Sequence, residues 1–408
     1  MTWGALGTTS VRDDGDFGRL VALVSAGQAS NRSELARLSG LSRSTVSQRV
    51  DVLLRNHLLI ETGDGPSTGG RRPVLLSLNP AAGVVLGADI GATHYELAVA
   101  DLQGKILGRL HDTLDITAGP TVVMSRVVSQ FGRLLDEQGR SPEEVRAIGL
   151  GLPGPVEFAT GTIIRPPIMP GWDGFVVPEW FWEYYPVPVL VDNDVNVMAL
   201  GVYWSGAVAT KQLLVVKVGT GIGCGIITDG VLHRGANGAA GDIGHVRLAG
   251  EDEAVCQCGN NGCLEAVASG SAIAARLRDQ GLDVHNSLDV VRLAQAGEPH
   301  VLRAVRSAGQ HIGEVLASLV NFYNPDTIVI GGALAELRDE LLAMIRGVIY
   351  QRSLPLATRR LTITTTTPEQ YAAVAGAVIL ARQEALSADA IARWLNDSPP
   401  LEAITKGA

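Results

Sequence analysis

His245, Cys256, Cys258 and Cys263 are the residues whose types and spacing point most directly to chemistry. Ten residues separate the histidine from the first cysteine, one separates Cys256 from Cys258, and four separate Cys258 from Cys263. Three thiolates and an imidazole make a closed tetrahedral site for structural Zn2+, and Gly259 and Gly262 let one loop wrap the ion. Clustered cysteines read as a metal site before a disulfide framework; Cys224 lies outside the set and reads as a small core residue. Asp242 precedes the histidine by three residues and Glu265 follows Cys263 by two. Metal-coupled folding of the loop would hold both carboxylates rigidly, and two carboxylates with an imidazole can bind vicinal hydroxyls.

A second set of groups stands at the ends of apolar runs. Residues 84–88 read as a buried strand leading into Asp89-Ile90-Gly91-Ala92-Thr93, and 96–100 as a second strand, which puts the Asp-x-Gly-x-Thr element at a hairpin turn. Gly91 there lets backbone N–H groups approach an anion, Thr93 offers a hydroxyl, and Asp89 can hold Mg2+ through water. Residues 215–218 read as another strand, followed by a turn containing Gly219, Thr220, Gly221 and Gly223, suited to cradling phosphates with main-chain donors. Residues 328–330 end in Gly331 and Gly332, which permit close approach of an adenine or ribose. Each turn alone reads equally as strand punctuation; three of them fit two lobes closing on a nucleotide such as ATP. Between the first two, the strand 189–191 ends in Asp192-Asn193-Asp194-Val195-Asn196. Asp194 can accept a sugar hydroxyl proton during phosphoryl transfer, with Asn193 and Asn196 orienting substrate or backbone. The plainer reading, Asx residues capping a helix around 197–200, is compatible with that role.

The elements that must carry these groups follow from the hydrophobic pattern. Residues 17–80 read as three short helices and two strands. Asn31 and Glu34 form a capping box before Leu35, Ala36 and Leu38, and that helix stops at Gly40. Ser42 caps a second helix whose apolar residues Val46, Val50, Leu53 and Leu54 follow helical spacing. Facing away from that stripe stand Arg43, Ser44, Thr45, Ser47, Gln48 and Arg49, able to bond base edges or phosphates. A strand at 58–60, a turn over 63–70 and a strand at 74–76 then make a wing, with Arg71 and Arg72 placed to enter a minor groove. A helical hairpin used for dimerisation is the alternative reading of this front.

With 408 residues, 46% hydrophobic and 18% charged, and 48 glycines, the chain is a compact α/β protein of two or three domains. Disorder, a coiled coil and a collagen-like rod are excluded. No apolar run approaches the roughly 18 residues of a membrane span, and Asp13, Asp14 and Asp16 stand where a signal peptide would be basic, so a cytoplasmic location is expected. The net charge of −9 is uneven: residues 1–80 hold nine Arg against seven acids, so the remainder is strongly acidic. A mildly basic front on an acidic body suggests a nucleic-acid module attached to a small-molecule module. Arginine outnumbers lysine 29 to 4, a bias that reflects GC-rich coding rather than mechanism.

The run 35–47 resembles a winged helix-turn-helix. The whole assembly, through 149–155, 192–196, 219–225, 241–245 and 256–265, resembles the ROK family (repressor, open reading frame, kinase) over nearly the whole chain. The resemblance implies an α/β architecture, with an N-terminal winged helix-turn-helix over 1–82 and a two-lobed actin-like ATPase (ribonuclease H-like) fold behind it. Its first lobe would span 83–200, completed by about 373–395, and its second, with the zinc loop, 201–372. It further implies that sugar is held by Asn193, Asp194, Asp242, His245 and Glu265. The position of Asp194 is the catalytic base in the family's kinases, and the imidazole would serve zinc and sugar through its two nitrogens. The implied partners are operator DNA, a sugar or sugar-phosphate effector, and further copies in a homodimer or homotetramer, with no membrane.

Departures from the family's kinases are informative. Ala92 and His94 replace Gly and Lys or Asn, Asp242 replaces Glu, Cys224 replaces Gly, and Ile168 stands where sugar-binding members often carry Asn. A methyl at Ala92 narrows a phosphate turn, and the shorter Asp242 draws its carboxylate back by about 1.5 Å. These departures weaken the kinase reading more than the sugar-binding one. The expected protein is a sugar-responsive transcriptional regulator, a repressor; the alternative is a sugar kinase, using ATP and Mg2+, whose front is secondary.

Overall fold

The computed structural model describes residues 10–65, 72–206, 208, 210–366 and 372–397. At the front, α1 (Ser10–Ser25), α2 (Arg32–Ser39) and α3 (Arg43–Arg55) are followed by the antiparallel wing strands β1 (Leu59–Asp64) and β2 (Val74–Leu78). Side-chain caps fix the helix starts: Asn31 Oδ1 accepts from the Glu34 N–H at 3.0 Å, and Ser42 Oγ from the Thr45 N–H at 3.1 Å. The Glu34 carboxylate returns to the N–H and hydroxyl of Ser30, one residue earlier than a capping box requires. Gly40 ends α2 in the left-handed conformation that glycine adopts without strain.

Behind the front lie two sheets of the same mixed pattern. The first comprises β3 (Val84–Ile90), β4 (His94–Asp101), β5 (Ile106–Thr113), β6 (Val145–Leu152) and β7 (Val189–Asn193), in the order β5-β4-β3-β6-β7. Strand β3 pairs antiparallel with β4 and parallel with β6. Helices α4 (Pro120–Glu137) and α5 (Asp194–Trp204) belong to this lobe. The second sheet comprises β8 (Gln212–Val218), β9 (Ile222–Thr228), β10 (Val231–Leu232), β11 (Thr327–Gly331) and β12 (Thr362–Thr365), ordered β10-β9-β8-β11-β12. It carries α6 (Leu264–Ala268), α7 (Gly270–Asp279), α8 (Pro299–Tyr323) and α9 (Arg338–Arg352). Strand β3 is buried along its whole length and β8 nearly so, which is why both read as continuous apolar runs. Asp89, Asn193, Lys217 and Gly331 all fall at or one residue from strand C-terminal ends, where such sheets place ligands.

The chain then recrosses. Helix α10 (Ala372–Ala385) packs on α5, β3 and β6, and α11 (Ala388–Asp397) packs on α1. The front consequently shares a core with the first lobe: Phe17, Leu20, Leu35, Val46, Val50 and Leu53 lie in one buried cluster with Val85, Ala98, Ala100, Ala147, Val374 and Ile391. Arg146 joins the layers, bonding the Ala82 carbonyl and standing 4.2 Å over the Trp394 ring. Arg382 of α10 donates to the Leu102 carbonyl at 2.7 Å and to Ser25 of α1.

Candidate functional site

One cleft of about 2000 Å³ between the two sheets gathers Asn193, Asp194, Asp242, His245 and Glu265 with Asp89, Gly91, Thr93, Gly219, Thr220, Gly221, Gly223 and Gly332. That exceeds the few hundred to roughly 1,000 Å³ of an ordinary ligand pocket, as expected of lobes standing open. Gly331 is not among the lining residues. It pairs with Lys217 in the sheet, and a Cβ there would meet the end of Met198, so its smallness serves packing beneath the cleft.

Asn193 caps α5 with Oδ1, accepting from the Val195 N–H at 3.0 Å, and its Nδ2 donates to the Gly154 carbonyl. The Asx-cap reading and the site reading therefore describe the same residue. Asn196 donates to Asp192 at 2.7 Å, and Asp192 also accepts from Arg234 Nε at 2.7 Å. Glu265 Oε2 accepts from the Ile222 N–H at 2.8 Å, and a Cβ on Gly221 would collide with that carboxylate. The loop after Cys263 is thus tied to the glycine turn before β9. Burial pushes the Glu265 carboxyl above its ordinary range, opposed by that hydrogen bond.

The ligand atoms of His245, Cys256, Cys258 and Cys263 all lie within 4.8 Å of one another. Cys256 Sγ is 3.6 Å from His245 Nδ1, and Cys258 Sγ is 3.8 Å from Cys263 Sγ. Thiolates at about 2.3 Å around a tetrahedral zinc ion sit about 3.8 Å apart, so the donor set and its spacing fit that metal. With Nδ1 turned to the thiolates, His245 Nε2 faces the cleft, 3.9 Å from Asp242 Oδ1. Burial pushes the Cys224 thiol up to about 12, the mark of an inert core residue.

The phosphate side differs from what its glycines suggest. Lys217, on β8, reaches into the cleft and donates from Nζ to Asp194 Oδ2 at 2.7 Å. Burial alone would lower the ammonium's pKa, but Asp194 and Asp89 together hold it above the ordinary lysine value. Asp89 is 5% exposed, and its Oδ1 has no hydrogen-bond partner among the described residues. Burial raises its carboxyl to about 6, with Lys217 opposing and Asp194 adding. Burial, aided by Lys217 and His111, lowers His94 to about 4, so the imidazole beside the Asp-x-Gly-x-Thr turn is neutral near pH 7. The Gly91 N–H is already bonded to the His94 carbonyl at 2.8 Å and is not offered to a phosphate. The Lys217 ammonium on the would-be base stands against a second cation there, whereas the unpartnered Asp89 oxygen is a donor of the kind Mg2+ takes.

On the front, Arg43, Ser44 and Gln48 are exposed on α3, while Thr45 and Ser47 are half-buried. Arg49 departs from the expected outward orientation. It is half-buried, with its guanidinium 4.8 Å over the Phe17 ring of α1, because its place three residues after Val46 and next to Val50 sets it along the helix–helix seam. Arg72 is exposed two residues before β2, and Arg71 lies outside the described residues.

Residues 85–384 match the model of the ROK family. The chain belongs to that family. A xylose repressor of Caldicellulosiruptor bescii is 29% identical over 371 residues, which span 88% of this chain and 92% of that protein. A solved ROK family transcriptional regulator described as a homologue of the E. coli MLC protein superposes with a TM-score of 0.78 at 22% identity, over 94% of this chain and 99% of the other; it bears out the winged helix-turn-helix and actin-like fold. A ROK family glucokinase from Streptomyces griseus, solved with glucose and AMPPNP, matches at TM-score 0.63 and 26% identity, over 74% of this chain and all of that one.

Set on the ROK fold, the residue that sequence reasoning missed is Lys217. Its signal was present: it is one of four lysines in a chain with 29 arginines, and it interrupts an apolar strand. Arg234, 3.7 Å over the Phe158 ring and paired to Asp192, carried no sequence signal because its loop has no regular period. Among the described residues no helix is long and apolar enough to cross a membrane.

Proposed function

We propose that this ROK protein is a sugar-responsive transcriptional repressor. The front, residues 1–82, grips operator DNA through Arg43, Ser44, Thr45, Ser47 and Gln48 of α3 and Arg71 and Arg72 of the wing. The cleft takes a sugar or sugar phosphate on Asn193, Asp194, Asp242, His245 and Glu265, and zinc on His245, Cys256, Cys258 and Cys263 holds that side rigid. The observation that carries this reading is the core shared by the front and the lobe bearing Asp194. A module that merely rode along on a kinase would not need one. Lobe movement on effector binding then shifts the balance between states of different operator affinity. A homodimer or homotetramer suits operator half-sites related by symmetry. The repressor name of the C. bescii relative supports the same reading.

The deciding experiment selects operator duplexes from random-sequence DNA with the full chain, then titrates pentoses, hexoses, N-acetyl amino sugars and their phosphates with and without ATP and Mg2+. One sugar class should release the DNA with no need of nucleotide. A sugar phosphorylated at about 1–100 per second with operator binding untouched would replace this reading with the kinase one.

A further inference from the structure

We propose that the Lys217 ammonium stands in for the divalent cation of the family's phosphoryl-transfer cleft, making this cleft a metal-independent binding site for an uncharged or singly charged sugar. The inference rests on the regulator reading above.

Strand register sets the placement. Lys217 pairs with Gly223 on one side and Gly331 on the other, so neither neighbouring residue has a side chain to crowd it. Its Nζ lies 2.7 Å from Asp194 Oδ2. Asp89 pairs with Gly151, and a Cβ on Gly151 would lie 3.3 Å from the Asp194 Cα; only a glycine separates the two acidic positions. Two neighbouring carboxylates at the C-terminal ends of parallel strands are what Mg2+ would use, directly or through water. Here the positive charge they need is already covalently part of the chain. A divalent ion entering beside it would meet both the ammonium's repulsion and a carboxylate whose oxygen is already bonded. Lys217 is the cation whose charge acts on both Asp89 and Asp194, and Arg234, which also lines the cleft, is bound to Asp192. The cleft centre therefore sets one ammonium against this acidic pair. It also has hydrogen-bonding groups for hydroxyls, and a lysine that can donate to a sugar oxygen or to one small anionic substituent while keeping its contact with Asp194.

The probe is Mn2+, whose preference for oxygen ligands follows that of Mg2+ and whose free form is counted by electron paramagnetic resonance. Zinc-loaded full-length protein is titrated as wild type, Asp89→Asn, Lys217→Met and Lys217→Met/Asp89→Asn, with Lys217→Thr replacing Lys217→Met if the latter does not fold. Wild type and Asp89→Asn should behave alike. Lys217→Met should gain one Mn2+ site, about tenfold or more tighter than any wild-type binding, which disappears in the double variant. An Asp89-dependent Mn2+ site in wild type would overturn the proposal by itself, whatever the variants do. So would a folded Lys217 variant that gains no site. Sugar-driven release of operator DNA is read separately. Failure of the regulator reading appears there, as DNA that no sugar releases, while failure of the lysine assignment appears only in the Mn2+ titration.

Discussion

Gly376 on α10 meets the carbonyl of Val197 on α5 so closely that a Cβ at position 376 would overlap that oxygen. Gly201 stands in the same relation to the Ala372 carbonyl, and Gly149 of β6 to that of Ala377. The two helices cross backbone to backbone, with no side chains between them to absorb a displacement. Helix α5 starts at Asp194 in the cleft, and α10 reaches Arg382, which is bonded to α1 of the front. Two closely packed helices and one guanidinium thus connect the cleft to the front, contacts of the packed-element kind through which coupling can travel.

Gly376→Ala should cost about 1–3 kcal/mol or more, since the clash is with backbone rather than a movable side chain. The control is Gly347→Ala, in the interior of α9, where a Cβ would meet nothing. That change should be neutral or stabilise by up to about 1 kcal/mol through helix propensity. Urea midpoints for both variants check the pair; equal stabilities would mean that the helix crossing is not as tight as described.

Much of this was legible in the sequence, for reasons that differ by region. The strands around Asp89 and Asn193 and the caps at Asn31 and Ser42 are local, set by alternation, apolar runs and short polar side chains. The metal cluster is local too, because one loop supplies all four ligands. What stayed hidden was long-range. Arg49 has the right type for a base contact and the right helix, but Phe17, 32 residues earlier on α1, decides where it packs. Lys217 meets Asp194 only because β8 and α5 come from different lobes, and nothing in the residues around either position announces the other. The shared core of the front and the first lobe likewise depends on α10 and α11 returning from the far end of the chain.

Arg382→Gln removes the charge and the reach that join α10 to Ser25 while leaving the cleft and α3 intact. Operator affinity without sugar should change little, whereas the sugar concentration needed for release should rise several-fold, because an allosteric coupling of this size is typically worth about 1–3 kcal/mol. Fluorescence anisotropy of labelled operator against sugar measures both quantities. An unchanged sugar response would remove this guanidinium from the route.

Gln48→Ala and Arg49→Ala should separate. Gln48 is exposed on α3, and its loss should cost about 1–3 kcal/mol of specific operator binding, with thermal stability unaltered, if it reads a base. Loss of Arg49 should lower the melting temperature of the front instead, through the lost contact with Phe17. Paired gel-shift and melting measurements test this, and a destabilised Gln48→Ala variant would show that the two assignments are reversed.

Cys258→Ser should strip the metal and loosen the sugar side together. Glu265 follows the last cysteine by two residues and holds the Ile222 N–H, so the glycine turn before β9 loses its tether when the loop frays. Elemental analysis of wild type purified without chelator should give about one zinc per chain, since sites with three thiolates are normally filled. Less than half of that, or a Cys258→Ser variant that keeps its metal, would contradict the assignment.

The last test turns on the buried carboxyl of Asp89, whose folded value of about 6 lies above the ordinary 3.8. Between those values the folded chain holds a proton that the unfolded chain has released, so this residue's contribution to stability falls as pH rises through the window and is level above it. Asp89→Asn abolishes the titration. The variant should therefore be more stable than wild type at pH 8, and its advantage should shrink by about 1 kcal/mol on going down to pH 5, where wild type has recovered most of its proton. Glu96, raised to about 7 first by burial and in part by the Asp89 charge, is replaced by Gln in both proteins, so that its own titration does not enter the difference. Urea denaturation of the zinc-loaded pair at half-unit steps from pH 5 to 8 gives the curve directly. A difference that does not vary with pH would mean that Asp89 is ionised throughout, with Lys217 compensating its burial fully.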